Sequence, residues 1–471
     1  MNISRRSVLA ASALPFVATP SRAANTVSIR LNAERPLRRI SPDFMGLGYE
    51  ASSVAMSGLL AASNRAYVRL VRNLGRQGVI RVGGNVSDYS IYKADGPSAS
   101  LPKATILSAE NIRQLKTFLD ATGWKAIWGL NLGGNDLNNA IQEARVVADT
   151  MGARLLALEV GNEPDLYVAA GHRKAPYDYA AWYAEYRRYK AAIRAVLPNV
   201  PFAGPDLAGA TEWMASFAHD EGKDVALLTA HHYIAGQANP ASTVELMLQE
   251  EKKYQPALAR FQAISELSGV PYRLCETASF SGGGKAGVSD TFAAALWALD
   301  YLFVLASHGC QGVNMETGVN HLGRISYYTP ISDDLAGHHG PAPEYYGLLA
   351  FAQFVGEEQI AVSCDANGIN LTSYAVRLGG GRIRLAVINK DFGQDAAVEI
   401  AGPAAIMGAR VMHLSAPSLS AADRITLGRA QVGKDGSWRG GRTDSVKVRG
   451  GKAQLSVAAG SAALVTLAFA G

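Results

Sequence analysis

Two glutamates stand at points in the chain where an acid can be held still. Glu163 closes the apolar run Arg154–Val160 inside Gly161-Asn162-Glu163-Pro164, and Glu276 closes Pro271–Glu276. An acid placed where a buried strand gives way to a Pro-led loop is fixed on a rigid element and directed into a cleft. Alone, a strand-end glutamate is ordinarily a solvated loop acid or an ion-pair partner. Two of them, brought about 5–5.5 Å apart, suit retaining glycoside hydrolysis, one as acid/base and the other as nucleophile. That chemistry sets opposed demands. Glu163 must stay protonated until it donates, so burial or the negative charge of Glu276 should raise its pKa, while Glu276 must stay ionised through hydrogen bonds.

The elements that must position these acids form a repeating pattern. Short apolar runs occur at Phe44–Tyr49, Val79–Gly84, Lys125–Leu132, Arg154–Val160, Pro201–Asp206, Leu227–Tyr233, Pro271–Glu276 and Gly312–Glu316. Helical stretches such as Asn111–Ala121, Tyr177–Val196, Glu245–Ser268 and Asp290–Ala306 lie between them. Eight strands alternating with helices predict a parallel sheet with right-handed crossovers, and eight is the number that closes a (β/α)₈ TIM barrel. An open doubly wound sheet is the rival, but no Gly-rich phosphate fingerprint follows the first strand. After about residue 355 short β-rich runs, among them Arg382–Asn389 and Ala462–Phe469, predict a C-terminal antiparallel β-sandwich. The expected organisation is a leader over residues 1–23, an N-terminal segment 24–40 whose strand Thr26–Arg30 joins the sandwich, a catalytic barrel over 41–352 and the sandwich over 353–471.

Active sites of such barrels lie at the C-terminal ends of the strands. Those ends supply Tyr49 and Glu50, Asn85 and Asp88, Asn131, Asn162 and Glu163, Asp206, His231-His232-Tyr233, Glu276 and Glu316. This set is rich in carboxylates and amides, poor in cations and without a metal-ligand cluster. It suits a neutral polyhydroxylated ring, whose hydroxyls need paired donors and acceptors.

The totals exclude several other classes. The chain has 471 residues, 18% of them charged, and a net charge of +5. No clustered basic face with interleaved aromatics suggests nucleic-acid binding. Three cysteines, Cys275, Cys310 and Cys364, make no disulfide framework. Ser4-Arg5-Arg6-Ser7-Val8-Leu9, the apolar run Val8–Ala18 and Ser21-Arg22-Ala23 read as a twin-arginine export signal, removed to leave a periplasmic or secreted protein. No later run reaches spanning length, so no stable membrane insertion is expected.

Glu163 in Gly161-Asn162-Glu163-Pro164-Asp165, with Glu276 on a later strand, resembles the retaining clan of glycoside hydrolases whose catalytic acids lie on strands four and seven. Further stretches resemble glycoside hydrolase family 79, the heparanase/β-glucuronidase family: Arg81-Val82-Gly83-Gly84-Asn85 with Asp88, His231-His232-Tyr233, Glu276-Thr277 leading to Gly282-Gly283-Gly284, and Tyr327-Tyr328. The resemblance implies an exo-acting retaining β-glucuronidase that needs no cofactor and takes a glucuronic acid-containing glycoside or oligosaccharide. It implies Glu163 as acid/base, Glu276 as nucleophile, Asn162 on the sugar 2-hydroxyl, Tyr233 on Glu276 and Asp88 on ring hydroxyls. The amides of Gly282 and Gly283, with a tyrosine from 327–328, would clasp the uronate carboxylate. Consecutive N–H groups freed by glycine form an anion-binding nest without a basic side chain. The family often has Tyr just before the glycine run, where this chain has Phe280-Ser281, leaving more room beside the carboxylate. The alternatives are an endo-acting hexuronidase on acidic polysaccharides and a catalytically silent carbohydrate-binding protein.

Other residues carry structural expectations. Glu159 should point inward and pair with Arg81. His231 should be a packed core histidine, and Glu316 is at least as suited to structure as to the pocket rim. His338 and His339 are expected in solvent. Cys275 should point away from the site by strand alternation, and Trp182 with Tyr183, Tyr186 and Tyr189 should form a helix face.

Overall fold

The computed structural model describes residues 26–101, 103–249, 254–318, 325–334 and 336–470; the stretch read as an export signal lies outside the described residues. Eight parallel strands form one sheet: Gly46–Glu50, Val79–Gly83, Lys125–Leu130, Leu155–Val160, Ala203–Leu207, Leu227–Gly236, Tyr272–Ser281 and Gly312–Glu316. Numbered along the chain, they lie in the order 4-3-2-1-8-7-6-5. The open ends meet at a parallel bridge between Leu158 and Phe202, where the Leu158 amide donates to the Pro201 carbonyl at 2.9 Å. The sheet is therefore a barrel, and the doubly wound alternative is excluded. Among the described residues no helix is long and apolar enough to cross a membrane.

Helices cover the outside of the barrel as the apolar periodicity requires. Ala109–Thr122 starts on a reciprocal cap between Ser108 and Asn111, and Leu137–Met151 on the Asp136 carboxylate. The stretch Glu245–Ser268 is two helices rather than one, Val244–Leu248 and Gln255–Ser268. Phe292–Ser307 is buried on nearly every side, because the barrel lies on one flank and the C-terminal sheet on another.

The expected C-terminal β-sandwich is built from one curled, mostly antiparallel sheet of 11 strands, one of them from the N-terminal segment. Its strands wrap a second core that includes Ile29, Leu385, Val398 and Val465. Thr26–Arg39 runs inside it, antiparallel to Glu358–Asp365 and parallel to Ala396–Ala401. The chain thus begins its described part in the C-terminal sheet before entering the barrel.

A buried ion pair joins the two bodies. Asp300, on the helix Phe292–Ser307, receives Lys390 Nζ at 2.5 Å, Thr372 Oγ1 at 2.6 Å and the Tyr374 hydroxyl at 2.8 Å. Removing one member of such a pair strands the other charge away from water. Asp300→Ala is expected to destabilise the fold by about 3–5 kcal/mol, read as a lower thermal midpoint, whereas an unchanged midpoint would show that Lys390 finds another partner.

Candidate active site

The fourth strand delivers Glu163 through a strained turn. Gly161 (φ 84°) leaves the strand, and Glu163 sits in the left-handed region at φ 49°, ψ 54°, at the head of the short turn Pro164–Leu166. A non-glycine residue there is unfavourable unless its surroundings hold it. Here the Glu163 amide donates to the Asp206 carbonyl at 2.9 Å, and Asp206, at the end of the fifth strand, has φ 62° itself. The two adjoining strand ends brace each other.

Glu276 reaches the same pocket because the seventh strand bulges. Leu274 pairs with Ala230 of the sixth strand, yet Glu276 already pairs with His231, so one extra residue is inserted. The bulge corrects the expectation for Cys275. Instead of turning away, Cys275 stays inside the barrel with Val79, Ile127 and Ala157, below Glu276 and beside Glu159. Burial raises its thiol pKa, so it remains an inert packing group.

Arg81, on the second strand and 1% exposed, is the charge that organises the site. Its guanidinium donates to Asp206 at 2.5 Å, Asn162 Oδ1 at 2.7 Å, Glu276 Oε2 at 2.8 Å and Glu159 at 3.4 Å. The pairing with Glu159 is thus the weakest of several. His231 is no mere packed histidine: Nδ1 lies 3.0 Å from Glu163 Oε1 and Nε2 2.8 Å from Asp206 Oδ1. Burial opposes its charge, but Asp206 and Glu276 outweigh burial and hold its pKa well above the ordinary histidine value. As imidazolium it donates to the Asp206 carboxylate and to a carboxyl oxygen of Glu163. The stability from this raised pKa is fully present below the unfolded value and lost as pH rises through the folded one.

The two acids are separated electrostatically in the required sense. One carboxylate oxygen of Glu163 and one of Glu276 lie within 4.8 Å of each other. Burial raises the pKa of Glu163, partly countered by His231, and Glu276 adds to the rise. Burial also works against ionised Glu276, but His231, Arg81 and the Tyr233 hydroxyl, which donates at 2.7 Å, bring its pKa below the usual value. Glu159, Asp206 and Cys275 offer a second set of converging ligand atoms; in both sets the positive charge is supplied by Arg81 or His231.

These acids open into a cleft of about 430 Å³ lined also by Glu50, Asn85, Tyr233, Ser281, Gly282, Gly283, Glu316 and Tyr328. Gly282, Gly283 and Gly284 have φ of 86°, 100° and 79°, conformations that side-chain residues rarely take. A Cβ on Gly284 would stand 2.5 Å from the Tyr328 amide. The Gly283 carbonyl accepts the Tyr327 amide at 2.6 Å, joining the glycine turn to the loop after the eighth strand. Of the two tyrosines, Tyr328 faces the cleft, its ring 6.1 Å from that of Tyr233. Among the described residues the amides of Gly282 and Gly283 have no protein acceptor.

Other expectations change. Asp88 does not face the cleft: it is 2% exposed, with Oδ1 accepting the amides of Leu132 (3.1 Å) and Gly133 (2.9 Å) and Oδ2 the Asn162 amide (3.1 Å) and Tyr167 hydroxyl (2.8 Å). Fully engaged, it anchors the loop carrying Asn162 instead of meeting hydroxyls. Asn131 is likewise spent on Ser90 and Gly134. Tyr49 faces outward onto Tyr67. His338 is exposed, but His339 is half-buried beside Tyr67. Trp182 and Tyr186 are buried in an aromatic cluster with Trp213 and Phe217, whereas Tyr183 is only half-buried.

Comparison with known proteins agrees with this geometry. Residues 373–464 match the model of the glycosyl hydrolase family 79 C-terminal beta domain. A β-glucuronidase of Aspergillus niger is 26% identical over 366 residues, covering 69% of this chain and 66% of the relative. Mouse heparanase is 23% identical over 396 residues, 70% of this chain and 71% of the relative. The chain thus spans just under two-thirds of the length of the fungal relative. Among solved structures, a 4-O-α-L-rhamnosyl-β-D-glucuronidase from Fusarium oxysporum superposes with a TM-score of 0.75 at 18% identity, over 93% of this chain and all of that one. An α-L-arabinofuranosidase from Thermotoga maritima gives 0.68 at 13% identity, over 94% and 99%.

Tyr233→Phe removes the hydroxyl that stabilises ionised Glu276. The kcat/KM is expected to fall roughly tenfold or more, as for a lost hydrogen bond to a charged group. The acidic limb of its pH profile should move to higher pH while the alkaline limb, set by Glu163, stays in place. Movement of the alkaline limb alone would contradict the assignment.

Proposed function

We propose that the chain is a family 79 glycoside hydrolase, a retaining exo-β-glucuronidase with Glu163 as acid/base and Glu276 as nucleophile. The observation that carries this reading is the pair of carboxylates within 4.8 Å whose pKa values are pushed in opposite directions. Inversion needs a gap of about 6.5–9.5 Å to admit water between the acids.

Glu276 attacks the anomeric carbon as Glu163 gives its proton to the glycosidic oxygen, and the aglycone leaves as an alcohol. The resulting glycosyl ester removes the negative charge of Glu276, so the pKa of Glu163 falls and it can take a proton from the water that cleaves the ester. Asn162, its carbonyl oxygen fixed by Arg81, presents its remaining amide donor to the 2-hydroxyl. The free amides of Gly282 and Gly283, with Tyr328, receive the uronate carboxylate. The relatives named β-glucuronidase support a uronate at this position. The heparanase relatives favour a second reading, endo cleavage within acidic polysaccharides. Either substrate reaches the enzyme outside the cytoplasm, since we read Arg5-Arg6 as the core of an export signal.

Glu276→Ala is expected to lower turnover of an aryl β-glucuronide on the order of 10⁴-fold or more while leaving binding measurable. Proton NMR of the wild-type reaction should show β-glucuronic acid as the first product. An α-anomer first would refute the double displacement. Preference for the aryl glucuronide over the matching glucoside tests the glycine nest, and size reduction of an acidic polysaccharide separates endo from exo action. Replacing Arg5 and Arg6 with Lys should retain the unprocessed protein in the cytoplasmic fraction.

A further inference from the structure

Glu316 ends the eighth barrel strand, opposite Gly48 of the first, and it is 2% exposed. It lines the cleft, but its Oε2 has no hydrogen-bond partner. A buried carboxyl oxygen without a partner is costly and needs an explanation. The mechanism above does not use it. The first strand contributes a second acid to the same wall, Glu50, whose Oε2 accepts the Val86 amide at 2.9 Å.

The positions of the other groups dictate what this wall meets. The anomeric carbon lies between Glu163 on the fourth strand and Glu276 on the seventh, and the 2-hydroxyl points towards Asn162. On the proposed reading the C5 carboxylate lies at Gly282 and Tyr328, between the seventh and eighth strands. Continuing around the ring, the C4 hydroxyl comes to the ends of the eighth and first strands, where Glu316 and Glu50 stand.

Resting on that reading of the sugar's orientation, we propose that Glu316 is a specificity-determining residue whose carboxyl group, in the cleft wall, hydrogen-bonds the C4 hydroxyl. Its charge state suits the task. Burial, Glu276 and Glu50 all raise the Glu316 pKa, and burial with Glu276 brings Glu50 to about 8. Both acids are then neutral when Glu276 is ionised, so Glu316 offers a proton as well as lone pairs. A neutral carboxyl reads a hydroxyl without repelling the uronate beside it.

The experiment compares Glu316→Gln and Glu316→Ala on aryl β-glucuronide and its C4 epimer, the β-galacturonide. The glutamine keeps a donor and an acceptor at the same reach, so kcat/KM for the glucuronide should stay within about threefold of wild type. The alanine should lose roughly tenfold or more, and its preference for glucuronide over galacturonide should collapse by a similar factor, with both variants melting like wild type. A purely structural role would lower both epimers together. An unchanged epimer ratio in Glu316→Ala, or equal losses in both variants, overturns the proposal. If wild type instead cleaves the aryl glucoside and not the glucuronide, the glucuronidase reading fails, and the glucoside–galactoside pair then tests Glu316 in the same way.

Discussion

One guanidinium holds this site together. Arg81 is buried at the top of the barrel and donates to groups on the fourth, fifth and seventh strands at once. Arginine suits the position because its planar fork presents several donors in fixed directions and does not deprotonate. Space for it comes from Gly83, two residues on, where a Cβ would overlap the guanidinium. A cation with so many acceptors fixes the relative positions of strand ends that are distant in sequence. The separation of Glu163 and Glu276 is therefore a property of the barrel, transmitted through Arg81, Asp206 and His231.

The same cation explains why two chemically identical side chains take different protonation states. Six acids crowd the upper barrel: Glu50, Glu159, Glu163, Asp206, Glu276 and Glu316. Two cations, Arg81 and His231, are buried among them. A site shielded from water tolerates about as many anions as it has cations. The two acids bonded to Arg81 at shortest range, Asp206 and Glu276, have lowered pKa values, that of Asp206 to about 2. The other four are raised, Glu159 to about 7 and Glu50 to about 8. Glu163 is an acid because it is left over after the cations are matched.

Much of this was legible in the sequence because it depends on periodicity. Eight apolar runs predict the barrel, and their last residues include both acids and Tyr233; the role of the glycine turn rests on the family resemblance alone. What alternation could not reveal was its own interruption: the bulge at Cys275 admits Cys275 and Glu276 to the interior together. Asp88 was misread for another reason. Its carboxylate is saturated by amides of the loop Leu132–Gly133 and of Asn162, and no local pattern announces which distant backbone will turn its N–H groups towards it. His231 was placed on the right strand, but its bridge from Glu163 to Asp206 needs both positive-φ turns in position. The C-terminal strands were found, but alternation says which face is buried and not whether a sheet curls on itself.

The charge balance also constrains how an anionic sugar can be held on the proposed reading. An additional buried cation near the uronate would stabilise carboxylates around it, and Glu50 and Glu316 would be the first to ionise. Glu163 lies in the same cluster, and its proton is what the first step consumes. Backbone amides avoid this difficulty. The dipoles of Gly282 and Gly283 attract an anion locally but add no net charge to the pocket. On that reading the amides of Gly282 and Gly283 are the counterpart of the single arginine: the cation concentrates charge where a carboxylate must be ionised, and the amides would hold a carboxylate where the neighbouring acids must stay neutral.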